Sequence, residues 1–308
     1  MSKTLDILAL GEPLMEFAEV ERGGERLYLP GFGGDVSNAV IAAARQGART
    51  GIATFLGDDA FGHDFLKLWD REGVDRSNAI VREGQRTGIY FISYGADGHV
   101  FSYFRAGSAA SLMAPADLPL DRIAAARVLH LSGISQAISE SCADAGFAAM
   151  RHAKAHGTLV SYDTNLRLRL WPLDRARAVI NAAVALSDIA LPGHDDARQL
   201  TGHERPEDIC AFFLASGCRV VALTLGKAGT MVATAEETQV IPVRPVEAVD
   251  ATGAGDTFDG AFLAEWLVHG DAFRAAAYAN AAAALSTLGH GAVAPMPQRR
   301  AVEAFMQA

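Results

Sequence analysis

The sequence is short of cysteine, of basic runs and of long apolar stretches, and each shortage excludes something. Its three cysteines, Cys142, Cys210 and Cys218, are an odd number with no Cys-x-x-Cys spacing. That argues against a disulfide framework or a zinc site and for a reducing, cytoplasmic setting. No run of Lys or Arg builds a basic stripe, and the formal net charge is -9, so most of the surface repels phosphate backbones and nucleic acid is not an expected partner. A membrane span would need about 18 or more uninterrupted apolar residues. The Ala-rich segment near Ala275 is broken by Tyr278 and Asn280, and the short apolar run after Met1 lies between Asp6 and Glu12 without a cleavage pattern. Neither a membrane partner nor an export signal is therefore expected. Internal repeats, low-complexity tracts and Pro-rich linkers are missing too, as are the Gly-x-x-x-x-Gly-Lys-Ser/Thr loop and the third small residue of a dinucleotide fingerprint.

What is present is the composition of a globular protein: 308 residues, half of them hydrophobic and 20% charged. Short apolar runs such as LDILAL, RTGIATFLG, RVLHLS, GTLVSYDTN, SDIALP and CRVVALTLG alternate with helical patterns over 35–45, 60–71, 139–156, 173–186, 207–215 and 256–268. This alternation predicts a three-layer α/β/α body with a mostly parallel sheet. Two stretches, about 14–33 and 87–105, read instead as successive strands joined by the turns ERGGE and GADG. They predict a small β-sheet inserted into one domain that spans the chain.

Near the C-terminal end, Val249–Phe262 reads VDATGAGDTFDGAF. Small residues Gly253, Ala254 and Gly255 precede Asp256 where an apolar helical pattern begins. Backbone N–H groups at a helix start lack intrahelical partners and face the positive end of the macrodipole, so they can hold a phosphate or a developing negative charge. A carboxylate beside them can take a proton from a hydroxyl. The plain alternative is an Asp that caps a helix after a Gly-rich turn.

These residues resemble a known signature. DATGAGDTFDGAF is similar to the C-terminal motif of the ribokinase-like carbohydrate kinases, and GFGGDVSNAVIAAARQG to their N-terminal one. YFRAGSAASLMAP, VLHLSGIS and DTNLRLRLW resemble the 2-keto-3-deoxygluconate kinases of that family. The resemblance implies a small β-sheet lid over the α/β body and transfer of the γ-phosphoryl of ATP, with Mg²⁺, to the 6-hydroxyl of 2-keto-3-deoxygluconate. Asp256 would be the base, and Gly253, Ala254 and Gly255 the anion hole.

The resemblance further implies Gly34, Asn38, Tyr90, Tyr103, Arg105 and Arg167 as sugar-acid contacts, the arginines clamping the carboxylate. Asn165, Thr224, Gly226, Lys227, Gly229 and Asn280 would border ATP. Without the resemblance, Tyr90 and Tyr103 read as strand packing, Arg105 and Arg167 as surface charges, the Gly pair as a hairpin turn and Asn165 as a loop residue. Where many relatives carry Asn-x-x-Glu, this chain has Gly193-His194-Asp195-Asp196, which leaves Asp196 as the metal-side residue, acting through water. Glu16 stands where other sugar kinases hold hydroxyls with an Asp, and His194 reads as a loop histidine. A monovalent cation and the sugar epimer stay open. Rivals are a kinase for fructose or 2-keto-3-deoxygalactonate and a non-catalytic sugar sensor. Phe91 and Phe101, taken as one apolar face of the lid, predict a homodimer through it.

Overall fold

The structure is a computed structural model that describes residues 3–95 and 98–308. The expected GADG turn includes Ala96 and Asp97, which lie outside the described residues. The chain opens with β1 (Leu5–Leu10), leaves the body as the hairpin β2 (Leu14–Arg22) and β3 (Glu25–Gly33), and returns through α1 (Asp35–Arg45). Then come β4 (Thr50–Gly57), α2 (Ala60–Glu72) and β5 (Asp75–Arg82), followed by the second excursion, β6 (Gly88–Gly95) and β7 (Gly98–Phe104). The body continues with α3 (Leu120–Ala125), β8 (Ala126–Ser132), α4 (Gly133–Ala137), α5 (Glu140–Ala155), β9 (Leu159–Asp163) and α6 (Leu173–Val184). After β10 (Ile189–Ala190), α7 (His194–Thr201) and α8 (Pro206–Ala215), three strands β11 (Val220–Thr224), β12 (Thr230–Ala233) and β13 (Thr238–Ile241) lead to α9 (Ala254–His269), α10 (Ala272–Ser286) and α11 (Arg299–Gln307).

The large sheet has the order β13-β12-β11-β10-β9-β8-β1-β4-β5. It is parallel from β5 to β11 and antiparallel at β11-β12-β13. Every residue of β4 is buried, as expected of a strand covered on both faces. One core lies between the sheet and α5, α6 and α8, and contains Tyr162, Ile180 and Phe213. The other lies under α1, α2, α9 and α10, and contains Ile41, Trp69, Phe262 and Tyr278. Apolar spacing fixed these faces. Local chemistry fixed the ends, as where the Asp59 side chain accepts from the Gly62 amide to start α2 and left-handed Gly73 (φ 70°) ends it.

The small sheet has the order β3-β2-β6-β7, with β2 and β6 parallel and both outer pairs antiparallel. Tyr90 pairs with Tyr103 and Ile92 with Phe101, so these four side chains share one face. Phe91 is on the other, stacked on Phe17 at 5.1 Å and edge-on to Phe104 and Tyr28. The sequence expectation that Phe91 and Phe101 form one face is thus corrected: they differ in strand parity. Two further readings change. Only Ile189 and Ala190 of SDIALP are strand, since Pro192 cannot donate to a ladder, and His194 is the first residue of α7, its Nε2 3.2 Å from the Glu204 carbonyl, not a loop residue.

Candidate active site

Between lid and body lies a cavity of about 1160 Å³. The lid contributes Tyr90, Phe101 and Tyr103 to it. The start of α1 contributes Gly34, Asp35 and Asn38, the segment after β9 Asp163, Asn165 and Arg167, and the start of α9 Gly253, Gly255, Asp256 and Asp259. The parallel sheet explains the convergence, because these segments all follow strand ends or begin helices at the same edge.

Asp256 stands in the first turn of α9. Gly253, with φ 73°, forms the left-handed corner before it, and a Cβ there would come within 2.9 Å of the Ala292 Cβ. Glycine is required on both counts. Asn38 donates Nδ2–H to Asp256 Oδ2 at 2.7 Å, joining two helices far apart in sequence. Burial, and next the charge of Asp35, push the Asp256 carboxyl up to about 7, while the Asn38 hydrogen bond and Arg167 pull the other way. The result is a carboxylate poised to exchange a proton near neutral pH.

Of the three small residues expected to hold an anion, one is withdrawn. Ala254 donates its N–H to the Ala251 carbonyl at 3.1 Å and does not line the cavity. The tight corner at Gly253 turns that amide inward. Among the described residues, the Gly255 and Asp256 amides have no protein acceptor, and both residues line the cavity. The unpaired amides that face the cavity are thus those of Gly255 and Asp256, at a helix start where an anion can be held.

Arg105 is buried, with Nε donating to Glu12 Oε2 at 2.7 Å and an ion pair through Nη2 to the same carboxylate. Arg105, expected as a sugar-acid contact, lines the cavity with its charge already paired, and the alternative reading as a surface charge is corrected. Arg167 is about half exposed, and its Nη1 lies 3.5 Å from Asp196. Asp196 Oδ2 also accepts the Leu166 amide at 2.9 Å. The residue expected on the metal side thus orients the loop that carries Arg167. Glu16, expected against sugar hydroxyls, is buried outside the cavity lining and accepts from the Tyr90 hydroxyl. It orients Tyr90 instead.

At the end of the cavity beside β11, Thr224 and Gly193 line it and meet in a parallel bridge. Gly226 and Gly229, both at positive φ, flank the turn between β11 and β12 that exposes Lys227. None of these three lines the cavity. Asn280 is buried, accepting from Thr230 Oγ1 at 2.7 Å and donating to the Ile241 carbonyl at 3.0 Å. It buttresses β12 from below and is not in the lining. Asn165 is, with its Nδ2 3.4 Å from Asp35 Oδ2.

The sequence reading missed Asp35, Asp163 and Asp259, whose carboxylates crowd Asp256. Burial is the main cause that raises Asp163 and Asp259 well above the usual carboxylate range, with mutual repulsion adding to it. Signals existed for each. Asp259 is three residues after Asp256, hence on the same helical face, and Asp163 closes the strand just before Asn165.

The model of the pfkB family carbohydrate kinases matches residues 7–299. The chain belongs to that family. A probable fructokinase-4 from Arabidopsis thaliana is 34% identical over 98% of this chain and 96% of its own length. A fructokinase from Vibrio cholerae O395, crystallised with fructose, ADP and calcium, superposes with a TM-score of 0.87 at 27% identity, covering 98% of this chain and 99% of its own. A ribokinase II candidate from E. coli, crystallised with ATP and Mg²⁺, gives a TM-score of 0.90 at 27% identity over 100% of this chain and 99% of its own. This pfkB kinase accordingly has the ribokinase-like body and four-stranded lid that its sequence implied. Two of these relatives carry the name fructokinase, so the deoxygluconate assignment is narrower than the likeness supports.

Proposed function

We propose that this pfkB kinase transfers the γ-phosphoryl group of ATP to a primary hydroxyl of fructose or a closely similar ketose. The observation that carries the proposal is Asp256 at the cavity floor, held by Asn38 beside the unpaired amides of α9. With the sugar bound, Asp256 takes the hydroxyl proton as the oxygen attacks phosphorus, and ADP leaves in line. The amides of Gly255 and Asp256 face the charge on the transferring group, and Arg167 adds a cation at the rim. Tyr90, Tyr103 and Asn38 would hold sugar hydroxyls, and Thr224 with Asn165 would border the nucleotide. The cavity is of a size for a hexose and a triphosphate together.

Magnesium suits this donor set in one way only. Among the described residues no cluster of three or more metal-ligating side chains occurs. The ion would take its oxygens mainly from phosphates and water, as Mg²⁺ usually does, and the Asp163 and Asp259 carboxyl groups, which line the same cavity, would accept from that water. It supplies neutralisation of the phosphate oxygens.

A neutral sugar is favoured because Glu12 already satisfies Arg105, which weakens the clamp a sugar acid would need, and because two of the named relatives are fructokinases. The second reading, phosphorylation of 2-keto-3-deoxygluconate at its 6-hydroxyl, is favoured by Arg167, whose half-exposed guanidinium reaches the same cavity. A coupled ADP-release assay with fructose, ribose, deoxygluconate and deoxygalactonate separates the two. Fructose is expected to give the highest kcat/KM, and Arg167→Ala to reduce fructose turnover only several-fold. Preference for deoxygluconate, with a loss of 100-fold or more in Arg167→Ala, would replace the first reading by the second, since one bidentate charge pair accounts for such a factor.

A further inference from the structure

Four strand ends root the lid in the body, and one buried residue meets three of them, two with its side chain and one with its backbone carbonyl. Glu12, in the link from β1 to β2, is 1% exposed. One carboxylate oxygen accepts from Arg105 Nε at 2.7 Å, where β7 re-enters the body, and the other from Ser108 Oγ at 2.7 Å. At the root of β6, a Cβ on Gly88 would lie 2.8 Å from Glu12 Oε1. At the root of β3, a Cβ on Gly34 would lie 2.4 Å from the Glu12 carbonyl oxygen. Glycine at both places lets the backbones close on Glu12. Arg105, held there, also lies 5.8 Å from the centre of the Tyr103 ring and lines the cavity.

We propose that Glu12 is a positioning residue for the sugar subsite: it fixes Arg105 against the cavity wall and ties the lid strands together at their roots. A guanidinium can be buried only beside a compensating charge. Without the carboxylate, Arg105 must turn toward solvent or into the cavity, and either movement displaces Tyr103 and the root of β7. A side chain that never meets the sugar thus sets the geometry of those that do.

The proposal rests on the kinase reading above, and the test keeps the two apart. Steady-state kinetics would compare wild type, Glu12→Gln, Arg105→Gln and the double variant in the full chain, with fructose and with ATP as the varied substrate. Glu12→Gln is expected to raise the sugar KM about tenfold while the ATP KM stays within about twofold, with kcat affected less. The double variant is expected to match Arg105→Gln alone, because Glu12 acts through that residue. Unchanged sugar KM in Glu12→Gln, equal rises for sugar and ATP, or a double variant whose loss is the product of the two single losses would overturn it.

Should Glu12→Gln fail to accumulate as folded protein, Ser108→Ala leaves the ion pair but frees one Glu12 oxygen. It is expected to raise the sugar KM about threefold, and no rise would count against the proposal. If wild type turns over none of the sugars offered, the kinase reading fails first, and the pair is then read by hydrogen exchange without sugar. Amides of β2 and β6 are expected to exchange roughly tenfold faster in the variant than in wild type while those of β9 and β11 keep their rates. Equal exchange in the lid strands would overturn the inference.

Discussion

The proposed chemistry rests on one carboxyl group whose surroundings disfavour its charge. Asp256 is pushed from 3.8 up to about 7, first by burial and then by Asp35. A base acts only when ionised, so kcat/KM for the sugar should fall tenfold per pH unit below about pH 7. A profile that stays flat down to pH 5 would contradict the assignment. The same shift has a consequence for stability. A carboxyl raised in the folded state favours folding in full below the unfolded value, and that contribution is lost as pH rises through the folded one. Asp256→Asn, which removes the ionisation and keeps an acceptor for Asn38, should melt like wild type near pH 4. At pH 8 it should melt on the order of a few degrees higher, as read by calorimetry.

At the scale of elements, the site depends on how closely α1 approaches α9. Gly260 allows it: a Cβ there would lie 2.1 Å from the Ala39 carbonyl oxygen and 2.7 Å from the Ala42 Cβ. Alanine would gain roughly 1 kcal/mol of helix propensity, yet overpacking a close helix contact costs about 1–3 kcal/mol, and a carbonyl cannot yield as a side chain can. Gly260→Ala should therefore lose about 1–2 kcal/mol by urea denaturation and lower turnover, because α1 carries Asn38; unaltered stability would show that the helices can part freely. Much of this layout was legible in the sequence. The α1 range was read correctly, α2 to within one residue, and the small sheet from its alternating runs and the ERGGE turn. The motif at Gly253 to Asp256 gave the site its centre. Less legible was which side chains are already engaged. Arg105 and Glu12 lie 93 residues apart, and no local pattern shows that they neutralise each other. Nor does periodicity show that the Ala254 amide turns inward, since a single φ angle at Gly253 decides it. The one-face reading of Phe91 and Phe101 failed because strand register, not residue type, assigns the face.

On the scale of the whole molecule, the lid is both cover and exposed surface. Arg169, on the body loop that carries Arg167, donates Nη1–H to the Phe101 carbonyl of β7 at 2.6 Å, bridging the cavity mouth. Large apolar side chains of the lid are exposed on both of its faces, Leu27 and Leu29 on the face of Ile92, Val100 and Phe104 on the face of Phe91, and exposed apolar surface favours association. A homodimer through the lid is expected, and sedimentation should give twice the 32.5 kDa chain mass. A species of chain mass would reject it, while Leu29→Glu should shift the dimer toward single chains. In the proposed mechanism cavity, lid and helix start serve one chemical step, and the removal of a proton by Asp256 is the part of it assigned to this chain. The most direct test is the turnover of Asp256→Asn at saturating sugar and ATP, alongside sugar binding by calorimetry. The account predicts a fall in kcat of about two to four orders of magnitude with the sugar affinity kept within a few-fold. Turnover near that of wild type, in a variant that still binds sugar, would contradict it.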